Sequence, residues 1–292
     1  MNTLDARSIA LLTKRGIAGH VAAERFVNDF LAYSVYFEAR AYGTVDEMLN
    51  LLEDESNLTD SSILKTNWCK NISELISPRL RCNDLFMKLF EVLLMNKGKG
   101  VGVGELVLPL ILSNYRFSNE SDGIFYDNGE KNFVEIKNNG ASLKPVKTGV
   151  TEKGLVDQLN EKYFNGNAPG YLGEKMFQKH VESVKDPELY RNYFRELYVG
   201  CDQDDLNDMV DEIKECYREK ESFCRAVGKF ALKQYQKVDG WTNILYIDAD
   251  TMKMVNIADT TNIDELKLRF SPKLIRKKDT QAIADGYVNV RI

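Results

Sequence analysis

The chain has 292 residues, of which 43% are hydrophobic and 28% are charged, and its formal net charge is −5. This composition is typical of a globular protein with one large or two modest domains and a sizeable core. The negative charge argues against a protein that coats nucleic acid without specificity, although it allows a local basic groove. The longest apolar runs, such as residues 106–112, are much shorter than a membrane span, so we expect no membrane association.

The five cysteines have no Cys-x-x-Cys spacing, and the two histidines, His20 and His180, are far apart in the sequence. These spacings argue against a zinc site and favour reduced thiols in a cytoplasmic protein. The sequence also has no signal peptide, so we expect a soluble protein that is made in the cytosol.

Residues 1–97 are predicted to form a helical N-terminal region. Apolar residues recur at helical spacing between residues 17 and 36 and again between residues 75 and 94. Thr44, with Glu47 three residues later, predicts a capping box, and Pro78 marks the start of the later helix. We identify no catalytic chemistry here, and the aromatic residues are interpreted as core.

The most informative segment follows at residues 98–144. Its glycine-rich start, GKGVGVG, matches neither common phosphate-loop pattern and is interpreted as a sharp turn into a helix that carries Glu105, with a close approach to a DNA phosphate as the alternative. Asp122 and a glycine then open a β-rich run, and a turn containing Asp-Asn-Gly leads into a second run at residues 133–137. These runs predict a β-hairpin with a six-residue connection, longer than a tight two-residue turn.

The charged residues of this hairpin are expected to meet at one end of a sheet. Glu135 and Lys137 share a strand face because successive side chains alternate, and Ile136 points to the opposite face. If the strands pair antiparallel, Asp122 lies close to these residues. A bound divalent cation would explain two carboxylates and an ammonium in one place, because Mg²⁺ favours a few carboxylates with waters and phosphates.

This arrangement resembles the PD-(D/E)XK nuclease superfamily, whose fold occurs in many restriction enzymes and in phage and repair nucleases. The family pattern has an acid on a leading helix, an Asp at a strand start and Glu-x-Lys on the next strand. Ser121 stands where the family name places a proline, a position that the family varies freely. The resemblance covers residues 98–144 and implies a mixed α/β (α+β) fold with a restriction-endonuclease-like core sheet flanked by helices. The matching residues are Glu105, Asp122, Glu135 and Lys137.

The resemblance implies a metal-dependent nuclease that hydrolyses phosphodiester bonds of DNA, with endonuclease action as the expectation. Asp122, Glu135 and the backbone carbonyl of Ile136 would hold Mg²⁺ or Mn²⁺. Glu105 would complete the shell directly or through water. Lys137 would orient or activate the attacking water and stabilise negative charge on the phosphate.

The Glu-x-Lys pattern alone carries little information, because it occurs twice more. Glu212-Ile213-Lys214 lies in a predicted helix, where residues two apart diverge by about 200°. The other copy, at residues 265–267, has no glycine-acid helix before it. Only the copy at residues 135–137 combines the helix acid, the strand Asp and the hairpin.

Two lysine-rich segments are candidate DNA contacts. Residues 131–153 contain five lysines and two acids, and residues 266–278 contain six basic residues and no acid. A solvated loop explains the first segment equally well, and a partner-protein contact or a solvated tail is the alternative for the second. The candidate DNA-binding residues are Lys144, Lys147, Lys153, Lys273, Arg276, Lys277 and Lys278.

The rest of the chain completes the predicted architecture. Residues 172–240 are predicted to be mostly helical, and residues 241–257 predict two strands that extend the sheet. We therefore expect a nuclease-like core at residues 98–292 with a helical insertion at about 172–240. The acid-rich segment at residues 202–212 lacks the glycine and glutamate of a calcium loop, so it predicts a helix N-terminus instead.

The glycine-glutamate helix before Asp and Glu-x-Lys is also similar to nucleases encoded by phages. A phage or phage-defence origin would place the protein in the cytoplasm of a bacterial host or in a virion, with DNA as partner and further copies of the chain or phage proteins as additional candidates. The main alternative is a virion or DNA-packaging structural protein that uses a nuclease-like fold without turnover. A second alternative is a nucleic-acid-binding regulator that acts through its basic C-terminal segment.

Overall fold

The computed structural model describes residues 3–95, 102–118, 120–143, 155–167, 169, 174–248, 250–263, 266–271 and 287–292. The described residues form eleven α-helices and eleven strands, which confirms the mixed α+β class. The helices are α1 (Thr3–Lys14), α2 (Glu24–Glu38), α3 (Val45–Glu53), α4 (Pro78–Arg81), α5 (Asp84–Leu94), α6 (Val103–Ile111), α7 (Leu155–Phe164), α8 (Glu174–Ser183), α9 (Leu189–Leu197), α10 (Gln203–Cys216) and α11 (Lys220–Asp239). The strands are β1 (Thr59–Asp60), β2 (Trp68–Asn71), β3 (Leu112–Ser113), β4 (Tyr115–Arg116), β5 (Gly123–Asp127), β6 (Glu130–Asn138), β7 (Ser142–Leu143), β8 (Asn243–Ile247), β9 (Lys253–Ile257), β10 (Lys267–Ser271) and β11 (Tyr287–Arg291).

The chain divides into two compact units. Unit 1 consists of residues 1–139 and 241–259, and unit 2 consists of residues 140–240 and 260–292. Unit 1 therefore holds the candidate site together with the N-terminal helices, and unit 2 holds the segment predicted as a helical insertion. The predicted boundary at residue 97 divides the chain differently and stays a prediction.

A six-stranded sheet organises unit 1, with the strand order β2-β9-β8-β6-β5-β4. Neighbouring strands are antiparallel except for β6 and β8, which run parallel with Val134 opposite Asn243. The prediction that the two strands after residue 241 extend the sheet of the hairpin is confirmed. Strand β6, which carries Glu135 and Lys137, consequently lies inside the sheet and not at its edge.

Helix α3 begins directly after Thr44, as predicted. The single later helix predicted to start at Pro78 is instead divided into α4 and α5, and α5 begins at Asp84 after the cap residue Asn83. Thr44 Oγ1 accepts a hydrogen bond from the Glu47 backbone N–H at 3.2 Å, and Pro78 occupies the first turn of α4. The apolar faces of these helices form one core with α6, as the helical spacing predicted. Buried members of this core include Phe26, Phe30, Leu49, Phe86, Leu89 and Leu108.

Strands β1 and β2 are the exceptions to the helices predicted for this region. Strand β1 pairs parallel with β3. Strand β2 pairs antiparallel with β9, and Asn71 Nδ2 also donates to the carbonyl oxygen of Thr251 at 3.0 Å. A four-residue edge strand is stabilised mainly by its partner strand, so local sequence gives little sign of it.

Unit 2 combines helices α7 to α11 with a three-stranded sheet in the order β10-β11-β7. Asp202 caps α10, because its Oδ1 accepts hydrogen bonds from the Asp204 and Asp205 backbone N–H groups, each at 3.1 Å. This confirms the helix N-terminus predicted for the acid-rich segment, and residues 212–214 lie within α10 as expected. Of the helices described in either unit, none has the length and apolarity needed to cross a membrane.

Candidate active site

A tight hairpin sets the register of the candidate site. Strands β5 and β6 pair antiparallel from Gly123 opposite Val134 to Asp127 opposite Glu130, which leaves only Asn128 and Gly129 in the connection. Both have positive φ angles, +49° and +83°, as a type I′ turn requires. The predicted six-residue connection was wrong, because the polar residues beside the turn belong to the paired strands.

The register brings Asp122 to the Glu135–Lys137 end of β6, as predicted. The backbone N–H of Ile136 donates a hydrogen bond to Asp122 Oδ2 at 2.7 Å. Ser121 donates a hydrogen bond from Oγ to the carbonyl oxygen of Gly123 at 2.7 Å. Both bonds fix the chain at the start of β5 and so orient the Asp122 carboxylate.

Glu135 and Lys137 lie on the same face of β6, as the strand alternation predicted. Glu135 is only 7% exposed, and its carboxylate forms an ion pair with the half-buried ammonium of Lys137. A buried carboxylate is costly unless it is paired, so the lysine makes the burial of Glu135 tolerable.

Helix α6 brings the third acid to the same place. The Gly102 backbone N–H donates to Glu105 Oε1 at 2.7 Å, which fixes the carboxylate at the helix N-terminus. At position 104 a Cβ would overlap Ile247 Cδ1 of β8 and would lie 3.4 Å from Ile136 Cγ2 of β6. The glycine therefore lets the first turn of α6 pack against both strands.

The charges of these four residues act on one another. Burial, together with the negative charges of Asp122 and Glu135, raises the pKa of Glu105 to about 7, although the Gly102 hydrogen bond and Lys137 oppose the shift. Burial, together with the charge and a side-chain hydrogen bond of Glu135, raises the pKa of Asp122 to about 6, against the opposing effects of the Ile136 N–H and Lys137. The site is therefore a desolvated acid cluster in which the repulsion between carboxylates is only partly offset.

This cluster offers oxygen ligands for a hard divalent cation. Two carboxylates in direct contact, those of Asp122 and Glu135, form its centre, and Glu105 lies within electrostatic range. Within the described ranges, no three or more His, Cys, Asp or Glu side chains are arranged as a group that could hold a metal ion. The donor set nevertheless fits Mg²⁺ or Mn²⁺ chemically, because Mg²⁺ is commonly bound through one or two carboxylates and several waters.

The seven candidate DNA-binding residues are all outside the described part of the chain. Glu265, from the third copy of the Glu-x-Lys pattern, is also outside it. The seven residues are Lys144, Lys147, Lys153, Lys273, Arg276, Lys277 and Lys278. Their role in DNA binding stays a prediction.

Tyr115 of β4 belongs to this region and was missed by the sequence analysis. Its side chain is fully buried, and its hydroxyl, which has no hydrogen-bond partner among the described residues, lies against Gly123. No motif marks a tyrosine at this position. The only sequence signal is the glycine directly after Asp122, which leaves room for a neighbouring side chain.

Comparison of the chain with models of protein families, with curated proteins and with solved structures found no match.

Proposed function

We propose that the protein is a metal-dependent nuclease that hydrolyses phosphodiester bonds of DNA, with a restriction-endonuclease-like core built from α6, β5, β6 and β8. The observation that carries the proposal is the convergence of Glu105, Asp122, Glu135 and Lys137 at one end of the sheet. Glu135 is buried and Glu105 and Asp122 are half-buried. Crowding these carboxylates reduces stability, so the arrangement is better explained by a ligand than by the fold itself.

Mg²⁺ or Mn²⁺ is the proposed cofactor. Asp122, Glu135 and the backbone carbonyl of Ile136 would hold it, with Glu105 completing the shell. The bound cation would polarise the scissile phosphate and lower the pKa of a water molecule. A cation would also offset the repulsion that raises the pKa values of Asp122 and Glu105.

The chain's own groups supply orientation and charge. The Ile136 N–H holds one oxygen of Asp122 in place, and the Gly102 N–H does the same for Glu105. Lys137 brings the positive charge of the cluster, where it can orient the attacking water and stabilise the charge that develops on the phosphate. Fixed groups of this kind contribute most when they need not reorganise during the reaction.

DNA is the proposed substrate, and endonuclease action is the proposed mode. A phage or phage-defence origin, with a location in the cytoplasm of a bacterial host or in a virion, belongs to the same proposal. The basic segments near residues 144–153 and 273–278 would contact the DNA backbone.

The test measures cleavage of supercoiled and linear plasmid in the presence of Mg²⁺, Mn²⁺ or EDTA. It compares the unmodified protein with the Glu135→Ala and Lys137→Ala variants. Glu130→Ala is the matched control, because Glu130 lies on the same strand but is exposed. We expect metal-dependent nicking by the unmodified protein and the control, and a loss of at least about 100-fold in the two site variants.

Two results would contradict the proposal. Absence of cutting by the unmodified protein, with DNA or a virion protein still bound, would favour the structural alternative. Binding that is lost on removal of the basic C-terminal segment, again without cutting, would favour the regulator.

A further inference from the structure

Tyr115 has a polar group that the fold does not use. The residue pairs with Phe125 across β4 and β5, and its side chain is fully buried. The hydroxyl has no hydrogen-bond partner in the described part of the chain. Leaving a buried hydroxyl without a partner reduces stability, and a phenylalanine would fill the same space without that penalty.

Two other buried tyrosines, Tyr190 and Tyr193, have hydrogen-bond partners for their hydroxyls. Tyr193 donates to Asn160 Oδ1 at 3.1 Å, and the Tyr190 hydroxyl lies 2.6 Å from His180 Nε2. Each hydroxyl thus completes a hydrogen bond within the fold. Tyr115 differs from both, so its hydroxyl calls for a different explanation.

The location of the Tyr115 hydroxyl supplies that explanation. A Cβ at residue 123 would overlap Tyr115 Oη, so the hydroxyl occupies space that exists only because residue 123 is glycine. Gly123 directly follows Asp122. Burial raises the pKa of Tyr115, and the negative charges of Asp122 and Glu105 raise it further. The hydroxyl thus lies within electrostatic range of the Asp122 and Glu105 carboxylates, although it is hydrogen-bonded to neither of them in this structure.

We propose that Tyr115 is a positioning residue of the candidate site, whose hydroxyl donates a hydrogen bond to the Asp122 carboxylate when a divalent cation is bound. This inference rests on the proposed function. The Ile136 N–H already holds one oxygen of Asp122, and the tyrosine would orient the carboxylate from a second direction. Groups that orient metal ligands in this way typically change metal affinity or activity by 10–100-fold.

The test is Tyr115→Phe in the full-length protein, with Mn²⁺ binding measured by calorimetry without DNA. We expect the affinity for Mn²⁺ to fall by about 10-fold or more. In EDTA, the variant should be at least as stable to urea as the unmodified protein, because only a hydroxyl without a partner is removed. Its DNA cleavage rate should recover at saturating Mn²⁺.

Two further variants separate positioning from packing. Tyr193→Phe is the matched control, and we expect lower stability with unchanged Mn²⁺ affinity, since its hydroxyl has a partner in unit 2. Gly123→Ala adds the Cβ that would displace Tyr115, so it should weaken Mn²⁺ binding like Tyr115→Phe.

Unchanged Mn²⁺ affinity in the Tyr115→Phe variant would overturn the inference about Tyr115. The nuclease proposal would still hold if the unmodified protein showed metal-dependent cleavage. Absence of both Mn²⁺ binding and cleavage in the unmodified protein would overturn both. Wild-type Mn²⁺ affinity in Gly123→Ala would also count against the inference.

Discussion

Two buried polar clusters, one in each unit, differ in how fully their groups are hydrogen-bonded. In unit 2, His180 is fully buried, with Nδ1 at 2.8 Å from the Asn167 carbonyl oxygen and Nε2 at 2.6 Å from the Tyr190 hydroxyl. Phe164 and Phe177 pack around the ring. Burial lowers the pKa of His180 to about 4, so the imidazole is neutral at neutral pH and both ring nitrogens have partners.

The polar groups of the acid cluster in unit 1 are less completely satisfied than those around His180. The pKa values of Glu105 and Asp122 are raised, and the Tyr115 hydroxyl beside them has no partner among the described residues. His180 is a core residue because both of its ring nitrogens are hydrogen-bonded. In the acid cluster, a bound cation could offset the repulsion between the carboxylates, and the Tyr115 hydroxyl could still donate a hydrogen bond. Perturbed groups of the second kind are the better candidates for function.

The largest effect is expected from Asp122→Asn. Asparagine keeps an oxygen that can accept the Ile136 N–H bond but removes the charge beside Glu135. We expect plasmid cleavage to fall by about 10²–10³-fold, as for other losses of transition-state stabilisation. Urea unfolding in EDTA should show equal or higher stability. A variant that cuts at the wild-type rate would remove Asp122 from the proposed site.

The next prediction concerns the pH dependence of stability. Burial lowers the pKa of His180 to about 4 in the folded protein, whereas in the unfolded chain the pKa has its ordinary value of 6.5. The unfolded state therefore binds more protons between these values, and the unfolding free energy falls as pH is lowered through this range. Relative to His180→Gln, which does not titrate, the loss should approach about 3 kcal/mol at pH 4.

Urea unfolding of both proteins at pH 7, 5.5 and 4 measures this difference. The curves of stability against pH should diverge below pH 6.5. Parallel curves would show that His180 is not held neutral by its surroundings, and the contrast between the clusters would disappear.

Gly104→Ala tests the close packing that places Glu105. The added Cβ would collide with Ile247 Cδ1, so we expect a loss of about 1–3 kcal/mol in stability together with slower cleavage. Gly129→Ala is the control, because its φ of +83° makes alanine unfavourable although nothing lies within 4 Å. Cleavage by folded Gly129→Ala should be unchanged, and equal cleavage by the two variants would contradict the role given to Gly104.

The smallest effect compares two Tyr→Phe substitutions. Tyr190→Phe removes the partner of His180 Nε2 and should cost about 1–2 kcal/mol, measured by urea unfolding in EDTA. Tyr115→Phe should cost nothing or stabilise the protein. Effects of the same sign and size would show that the two hydroxyls are equally well satisfied.

The local part of the candidate site could be predicted from sequence. Glu135 and Lys137 share a face because strand side chains alternate, and the antiparallel hairpin brings Asp122 to them. The helix start after Thr44 was predictable for the same reason, since caps involve residues a few positions apart.

What the sequence did not reveal depends on distant partners. Strand β2 exists through its pairing with β9, nearly two hundred residues later, as the bond from Asn67 Nδ2 to the Asp259 carbonyl oxygen also shows. The predicted six-residue connection includes Asp127 and Glu130 because they are polar, although the two residues pair with each other across the tight turn. Tyr115 could be recognised only once β4 had been placed beside β5.

The parallel pairing of β6 and β8 has a consequence for how the protein folds. Phe133 and Thr242 are hydrogen-bonded although 109 residues separate them, and most of those residues belong to unit 2. The entropic cost of closing a loop grows only with the logarithm of its length, so this long connection reduces stability little. Contacts between residues so far apart in sequence nevertheless form slowly during folding. The β5–β6 hairpin can form early, whereas Ile247 of β8 reaches Gly104 only after this closure. We therefore expect Glu105 to join the hairpin acids as one of the last events of folding.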